Sequence, residues 1–512
     1  MERRVDLVGR TVKRRFSQEG DLEFMKTDPA TVVHGFEKIP QSGLRWLAVT
    51  FDASVDPRLS VRFLLEQMTS DDVTRTTVVE PGKTNWVAID RDTVQVKLHY
   101  RLSGEGVLRV SPLRLRGETE SEPFTVPEAD TLVISTAYPH ASHLYRHGFI
   151  HTRLREYVRQ GVRPLVHIVR TEDDVVRTYT HEGIDVIEAA PRFGEWIARA
   201  SGATSLLIHF LNETIYEMTR SYQPRIPTIV WIHGVETEAW YRRWFQFLDN
   251  ADDLRHALEL KTRKEQQLGL MSRLYRGDDP YVSFVHVSDW FKTRVAEVDA
   301  KQVTERSTTI PNPIDDRHFR YQPKDGDARF HVLSIRPYHT TKYGNDLAVA
   351  AVLRLQDEPW FEDVTFSFYG DGPLFGETLA PVRELPNVIV KQQFLTSDEI
   401  YALHQENGIF LCPTRLDSQG VSMCEAMSSG LVPVTNDVAA IAEFVEDGVS
   451  GLLARSEDVE GLADHLKTLI ENEGRFLQLS AEASRHIQDR CGIDRVVRDE
   501  IAWISTMSSS CN

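Results

Sequence analysis

From residue 131 to residue 454 the chain repeats one pattern, and this pattern restricts the fold more than any other feature. Short runs of apolar, β-branched residues alternate with helical stretches. The runs fall at 131–135, 164–169, 184–187, 206–210, 228–232, 282–287 and 309–311. A second series follows at 330–334, 364–369, 388–390, 409–412, 432–435 and 451–454. Strands without polar alternation are buried on both faces, which is the condition of a parallel sheet flanked by helices. Between the two series lies YQPKDGDA (321–328), a Pro/Gly/Asp linker. The expectation is two doubly wound α/β domains whose ligands sit at the carboxyl ends of the strands, facing a cleft. A polar helical stretch over 250–274 interrupts the first series. Thr396 and Glu399 have the spacing of a capping box, which predicts a helix start.

The segment before this pattern differs in kind. Residues 94–102 alternate apolar and polar without a break, the mark of a strand with one wet face. Similar runs at 44–51, 59–65, 74–79, 86–89 and 107–115 are separated by turn signals and predict a small β-sandwich. Residues 1–125 hold 19 basic and 19 acidic side chains, so the net charge of -17 arises wholly downstream. A chain of 512 residues accommodates three or four folding units. The expected division is a β-rich accessory domain over 1–126 and Rossmann-like domains over 127–320 and 321–495. A C-terminal helix and tail cover 496–512.

Several classes drop out. No run of about 18 apolar residues is long enough for a transmembrane helix, and the start lacks the apolar stretch of a secretory signal. The charge disfavours nucleic acid, which needs a basic face. Cys412, Cys424, Cys491 and Cys511 form no CxxC pair, which fits reduced thiols and a cytoplasmic setting. GxSxG, Walker A and HExxH motifs do not occur.

The densest chemistry lies in PTRLDSQGVSMCEAMSSG, 413–430. Gly420 lets the backbone approach a ligand, and a helix starting near Val421 or Ser422 offers free N–H groups and a positive dipole end. Asp417 and Glu425 bracket this loop and suit sugar hydroxyls better than phosphate. Arg336 and Lys342, followed by Gly344, lie after the first strand of the second series and suit a diphosphate. Gly370 and Gly372 in FYGDGPLFG form either a pyrophosphate turn or a tight βα turn. The acid that a dinucleotide site wants on the next strand is missing, which favours the tight turn. His233 ends the strand 228–232 and is followed by Glu236; it reads either as a cleft residue or as a structural hydrogen bonder. The pairs Asp90/Asp92 and Asp325/Asp327 follow no strand of the α/β cores, so no metal site is expected.

Together these residues resemble the retaining GT-B glycosyltransferases of family 4 (glycosyl transferases group 1), over about 130–500. The resemblance rests on Asp417-x7-Glu425-Ala426-Met427, then Gly430, Val432-Pro433-Val434, Glu443, Asp447-Gly448 and Gly451-Leu452. FYGDGPL, IPNPID (310–315), Val287-Ser288 and His233-Gly234 complete the order. The resemblance implies a GT-B fold and transfer of a hexosyl or N-acetylhexosaminyl group with retention from a nucleotide sugar, a substrate rather than a cofactor, without metal. It implies that Glu425 holds the ribose and that Asp417 and the amides of Gly420, Val421 and Ser422 face the donor sugar. Arg336 and Lys342 would neutralise the diphosphate, and His233 would meet the reacting sugar. The chain departs from the pattern in Asp417, one methylene shorter than the usual Glu, in the five-residue gap between Arg336 and Lys342, and in Ala439-Ala440 where glycines are usual. The acceptor implied is a glycan, a cell-surface polymer or a lipid-linked saccharide. A non-catalytic carbohydrate-binding or scaffolding protein on the same fold is the alternative.

Val5, Val8, Val12 and Phe16 fall near one face of an expected N-terminal helix, with six cations among residues 3–15. Such a helix either packs on the protein itself or touches an anionic inner membrane face. The β-rich segment allows a homo-oligomer.

Overall fold

The computed structural model describes residues 12–16, 22–26, 32–40, 44–69, 72–140, 147–170, 174–247 and 251–510. The chain divides into two compact units, 1–208 with 214–226, and 209–213 with 227–512.

In the first unit, strands Thr131–Ser135, Pro164–Val169, Ile184–Ala189 and Ser205–His209 run parallel, as their unbroken apolar sequences require. The hairpin strand Val176–His181 lies antiparallel beside Ile184–Ala189. Lys83–Ala88, Trp46–Phe51 and Arg114–Glu118 then extend the same sheet in antiparallel steps. Thus the β-rich segment is not closed off at residue 126: three of its strands continue the α/β sheet. Its other strands form two antiparallel four-stranded sheets. Leu59, Phe63, Leu65, Val96, Tyr100, Leu108 and Val110 from these sheets share one core with Val49, Phe51 and Val87 of the large sheet.

The expected N-terminal helical face does not form where the structure describes it. Val12–Phe16 is a strand, paired antiparallel with Leu22–Lys26. Its backbone groups are paired in register with Leu22–Lys26, from Val12 opposite Lys26 to Phe16 opposite Leu22. Val5 and Val8 lie outside the described residues.

The second unit holds the parallel strands Thr228–Ile232, Val282–His286 and Ser307–Thr309. It also holds a six-stranded parallel sheet built from the second series. Counted from the linker, its strands are ordered 3-2-1-4-5-6. Strand 1 is His331–Ile335 and strand 4 is Ile409–Leu411; they are neighbours, and the winding direction reverses between them. The helix at Thr396 starts with both halves of the capping box in place, Glu399 N–H on Thr396 Oγ1 at 3.2 Å and Thr396 N–H on Glu399 Oε2 at 2.6 Å. The polar stretch over 250–274 is the helix Ala251–Tyr275, buried only at Leu270, Met271, Leu274 and Tyr275. In the linker, Asp325 caps a short 3-10 turn by accepting from Ala328 N–H at 3.0 Å.

Candidate active site

A reversal of winding leaves a crevice at the carboxyl ends of the two strands that flank it. Here those ends carry Arg336, after strand His331–Ile335, and the loop 413–420, after strand Ile409–Leu411. The topology therefore brings together two motifs that lie some eighty residues apart in sequence.

Arg336 is buried and donates from Nη1 to Ser422 Oγ at 3.1 Å. Its guanidinium lies 4.7 Å from the Tyr343 ring, and Lys342 Nζ lies 5.0 Å from the same ring. The two cations thus share one aromatic support. The Lys342 carbonyl accepts from Arg415 N–H at 2.8 Å and from Thr414 Oγ1 at 3.1 Å. Arg415 also donates to Asp346 (2.7 Å) and Glu457 (2.8 Å) and to the Thr341 carbonyl (2.8 Å). This fork locks the cation loop onto the acid loop. Gly344 belongs to the same device: its φ is 57°, and a Cβ there would press on the Pro413 backbone at 3.0 Å.

Gly420, with φ 82°, starts the helix Val421–Ser428. A left-handed residue at this position costs an L side chain about 1–2 kcal/mol, a cost glycine escapes. The N–H groups of Val421 and Ser422 open the helix, where donors lack intrahelical partners. Asp417 accepts from Gly420 N–H at 3.1 Å and from Gln419 N–H at 3.4 Å. Burial disfavours its charge, but Lys342, Arg336 and these two N–H groups outweigh burial and hold the carboxyl below its ordinary range. Glu425 behaves oppositely: burial, aided by Asp315, pushes its carboxyl up to about 8. At neutral pH the two acids eight residues apart are in different states, one ionised and one protonated.

Gly370 is the last residue of the strand Thr365–Gly370. With φ 153° it runs against the Arg336 carbonyl, with which a Cβ would collide. Gly372 does the same against Tyr338, so FYGDG is a tight βα turn shaped around residues 336–339.

His233 follows strand Thr228–Ile232. Its Nε2 lies 2.9 Å from Nδ1 of His209, and the two rings stack at 5.2 Å and 21°. Phe210 lies 5.0 Å away on centroids. The buried Glu236 fixes the loop by accepting from Gly234 N–H at 2.9 Å and His233 N–H at 3.2 Å; burial pushes its carboxyl up to about 7. The His233 carbonyl in turn accepts from Ser418 Oγ at 2.9 Å, so the His233 loop meets the acid loop directly. Next to these groups lies a cavity of about 640 Å³ whose lining includes Trp240, Arg243, Phe245, Phe247 and Lys264. Arg243 grips Glu238 at 2.8 and 2.9 Å and senses the charge of Asp417.

All nine candidate residues lie in the second unit. His209, Tyr343, Arg415 and Ser418 escaped the sequence reading. His209 is the last residue of the buried strand Ser205–His209, and His233 comes directly after the buried strand Thr228–Ile232. Arg415 carried no local signal, because its partners Asp346 and Glu457 lie 69 and 42 residues away. Glu443 accepts from the N–H groups of Asp289 and Trp290 and so caps the start of the short helix after Ser288. Ala439, where a glycine is usual, keeps a left-handed backbone at φ 51°.

Residues 329–472 match the family Glycosyl transferases group 1. An amylovoran biosynthesis glycosyltransferase, AmsK, of Erwinia amylovora is 30% identical over 155 residues, 29% of this chain and 38% of that protein. A GDP-mannose:cellobiosyl-diphosphopolyprenol alpha-mannosyltransferase of Xanthomonas oryzae is 27% identical over 74 residues, 14% of this chain and 20% of that protein. The matches thus span well under half the length of these relatives. Among solved structures, HepE of Anabaena, crystallised with UDP and glucose, superposes with a TM-score of 0.53 at 15% identity, covering 74% of this chain and all of that one. This likeness shows the fold, which is α/β of the GT-B type.

Proposed function

We propose that this chain is a glycosyltransferase that moves a sugar, with retention at the anomeric carbon, from a nucleoside-diphosphate sugar to a hydroxyl of a glycan, cell-surface polymer or lipid-linked saccharide. The observation that carries the proposal is the meeting, at the reversal of the six-stranded sheet, of Arg336, Lys342 and the helix start at Gly420. The family match over 329–472 supports it.

The hard step in such a transfer is the negative charge that grows on the departing diphosphate. Fixed donors aimed at that charge stabilise the transition state without reorganising. Arg336 and Lys342 supply two positive charges, and the amides of Val421 and Ser422 add the positive end of a helix dipole. Glu425 receives the ribose hydroxyls. Asp417, ionised and held by its own loop amides, faces the donor sugar. The acceptor hydroxyl attacks the anomeric carbon on the face the diphosphate leaves. The C–O bond to phosphate breaks, the new glycosidic C–O bond forms, and the hydroxyl proton passes to the leaving phosphate oxygen. No metal enters this scheme. His233, held by His209 and Glu236, contacts the reacting sugar from the cavity side. The work is done in the cytoplasm, at the inner membrane face where the acceptor is lipid-linked.

The test is turnover of UDP-, GDP- and ADP-sugars against saccharide acceptors, with the anomeric configuration of the product read by NMR. Retained configuration supports the proposal. Saccharide binding without turnover of any donor would instead make the chain a carbohydrate-binding protein, and an inverted product would remove the front-face mechanism.

A further inference from the structure

The first unit holds a cluster that the transfer chemistry does not use. His151 lies on the helix Gly148–Arg159, which follows the first parallel strand, and His181 and Glu182 form the turn between strands Val176–His181 and Ile184–Ala189. One donor atom from each of the three lies within 4.8 Å of the other two. His151 Nε2 is 3.1 Å from Glu182 Oε2, and the two imidazole rings are 4.5 Å apart on centroids.

The second coordination layer is already built. The buried Tyr138 hydroxyl holds His151 Nδ1 at 2.7 Å, which turns Nε2 toward Glu182. Metal-ligating histidines are oriented by such a bond on the other ring nitrogen. The His181 ring makes no hydrogen bond among the described residues. One neighbour opposes a cation: Arg155 Nη1 donates to Glu182 Oε2 at 3.1 Å.

We propose that His151, His181 and Glu182 bind a divalent transition-metal ion of the zinc class, tying the hairpin turn to the helix. Two imidazoles and one carboxylate form a zinc ligand set that leaves a fourth position for water. Small side-chain rotations bring donors now within 4.8 Å of one another onto an ion at about 2.0–2.2 Å. The site takes no part in sugar transfer.

The test uses the full-length, tag-free chain, stripped with chelator and titrated with Zn²⁺ by calorimetry. Co²⁺ absorption reports the coordination number. The expected result is one saturable site with a four-coordinate Co²⁺ spectrum. Binding should weaken at least about tenfold in His181→Asn and in Glu182→Gln, the scale seen even for outer-layer partners. Both side chains are accessible enough for these variants to fold. Arg155→Gln should tighten binding by releasing the carboxylate. Absence of saturable Zn²⁺ binding overturns the proposal, as does equal affinity in the parent and all three variants.

Discussion

The hydroxyl of Ser418 donates to the backbone carbonyl of His233 at 2.9 Å, across 185 residues of sequence. This bond joins the loop that carries Asp417 to the loop that carries His233. Ser418→Ala removes it and leaves every charged group in place. A net hydrogen bond is worth about 0.5–1.5 kcal/mol. The expected outcome is a fall in kcat/KM of roughly two- to tenfold with donor Kd nearly unchanged. Steady-state kinetics beside calorimetric donor binding checks it; a loss confined to donor affinity would show that the bond does not align the two loops.

Glu425 should make donor binding and stability depend on pH in opposite senses. Its carboxyl titrates near 4.5 when unfolded and near 8 when folded. Between those values the folded state holds the extra proton, so this residue's contribution to stability falls as pH rises from 4.5 to 8. Glu425→Gln should abolish that slope and melt higher than the parent above pH 8. If the carboxylate accepts ribose hydroxyls, donor affinity rises with pH through 8 and protons are released on binding. Melting curves over pH 5–9, with donor titrations in buffers of different ionisation enthalpy, measure both. A parent and variant with parallel melting profiles would place the carboxyl in its ordinary range.

Arg336→Ala and Lys342→Ala should each lower kcat by roughly 10²–10³ and donor affinity far less, because each acts on charge that develops during departure. Either change also withdraws a charge that holds Asp417 ionised, so the pKa of Asp417 should rise. Single-turnover rates and the acid limb of the pH–rate profile report these effects. Turnover should persist in EDTA whether or not the His151 cluster carries metal.

Ala439 holds a left-handed backbone at φ 51°. The strain on an L side chain there is about 1–2 kcal/mol, partly offset by the greater freedom glycine has when unfolded. Ala439→Gly should therefore stabilise the chain by about 0.5–1 kcal/mol without altering donor Kd. Urea unfolding measures it, and a destabilised variant would mean that the Ala439 methyl contributes more by packing than its backbone costs.

Much of the fold was legible in the sequence for local reasons. Unbroken apolar runs such as Ile409–Leu411 announce buried parallel strands, because nothing in them pairs with water. The capping box at Thr396 and the helix start at Gly420 depend on groups three or fewer residues apart. Arg336, Lys342 and the Gly420 loop were found as separate motifs, each chemically suited to a phosphate. Tertiary structure decided the rest, because the decisive partners are distant in sequence. Val12–Phe16 has apolar spacing close to a helical repeat, yet it became a strand because Leu22–Lys26 and Gly106–Val110 supply a sheet for it to join. Asp417 and Glu425 look interchangeable in the sequence. Only the folded surroundings, two cations and two amides for one, burial beside Asp315 for the other, make the first ionised and the second protonated. A residue's type sets which charges it can carry, and its neighbours in space set which one it does.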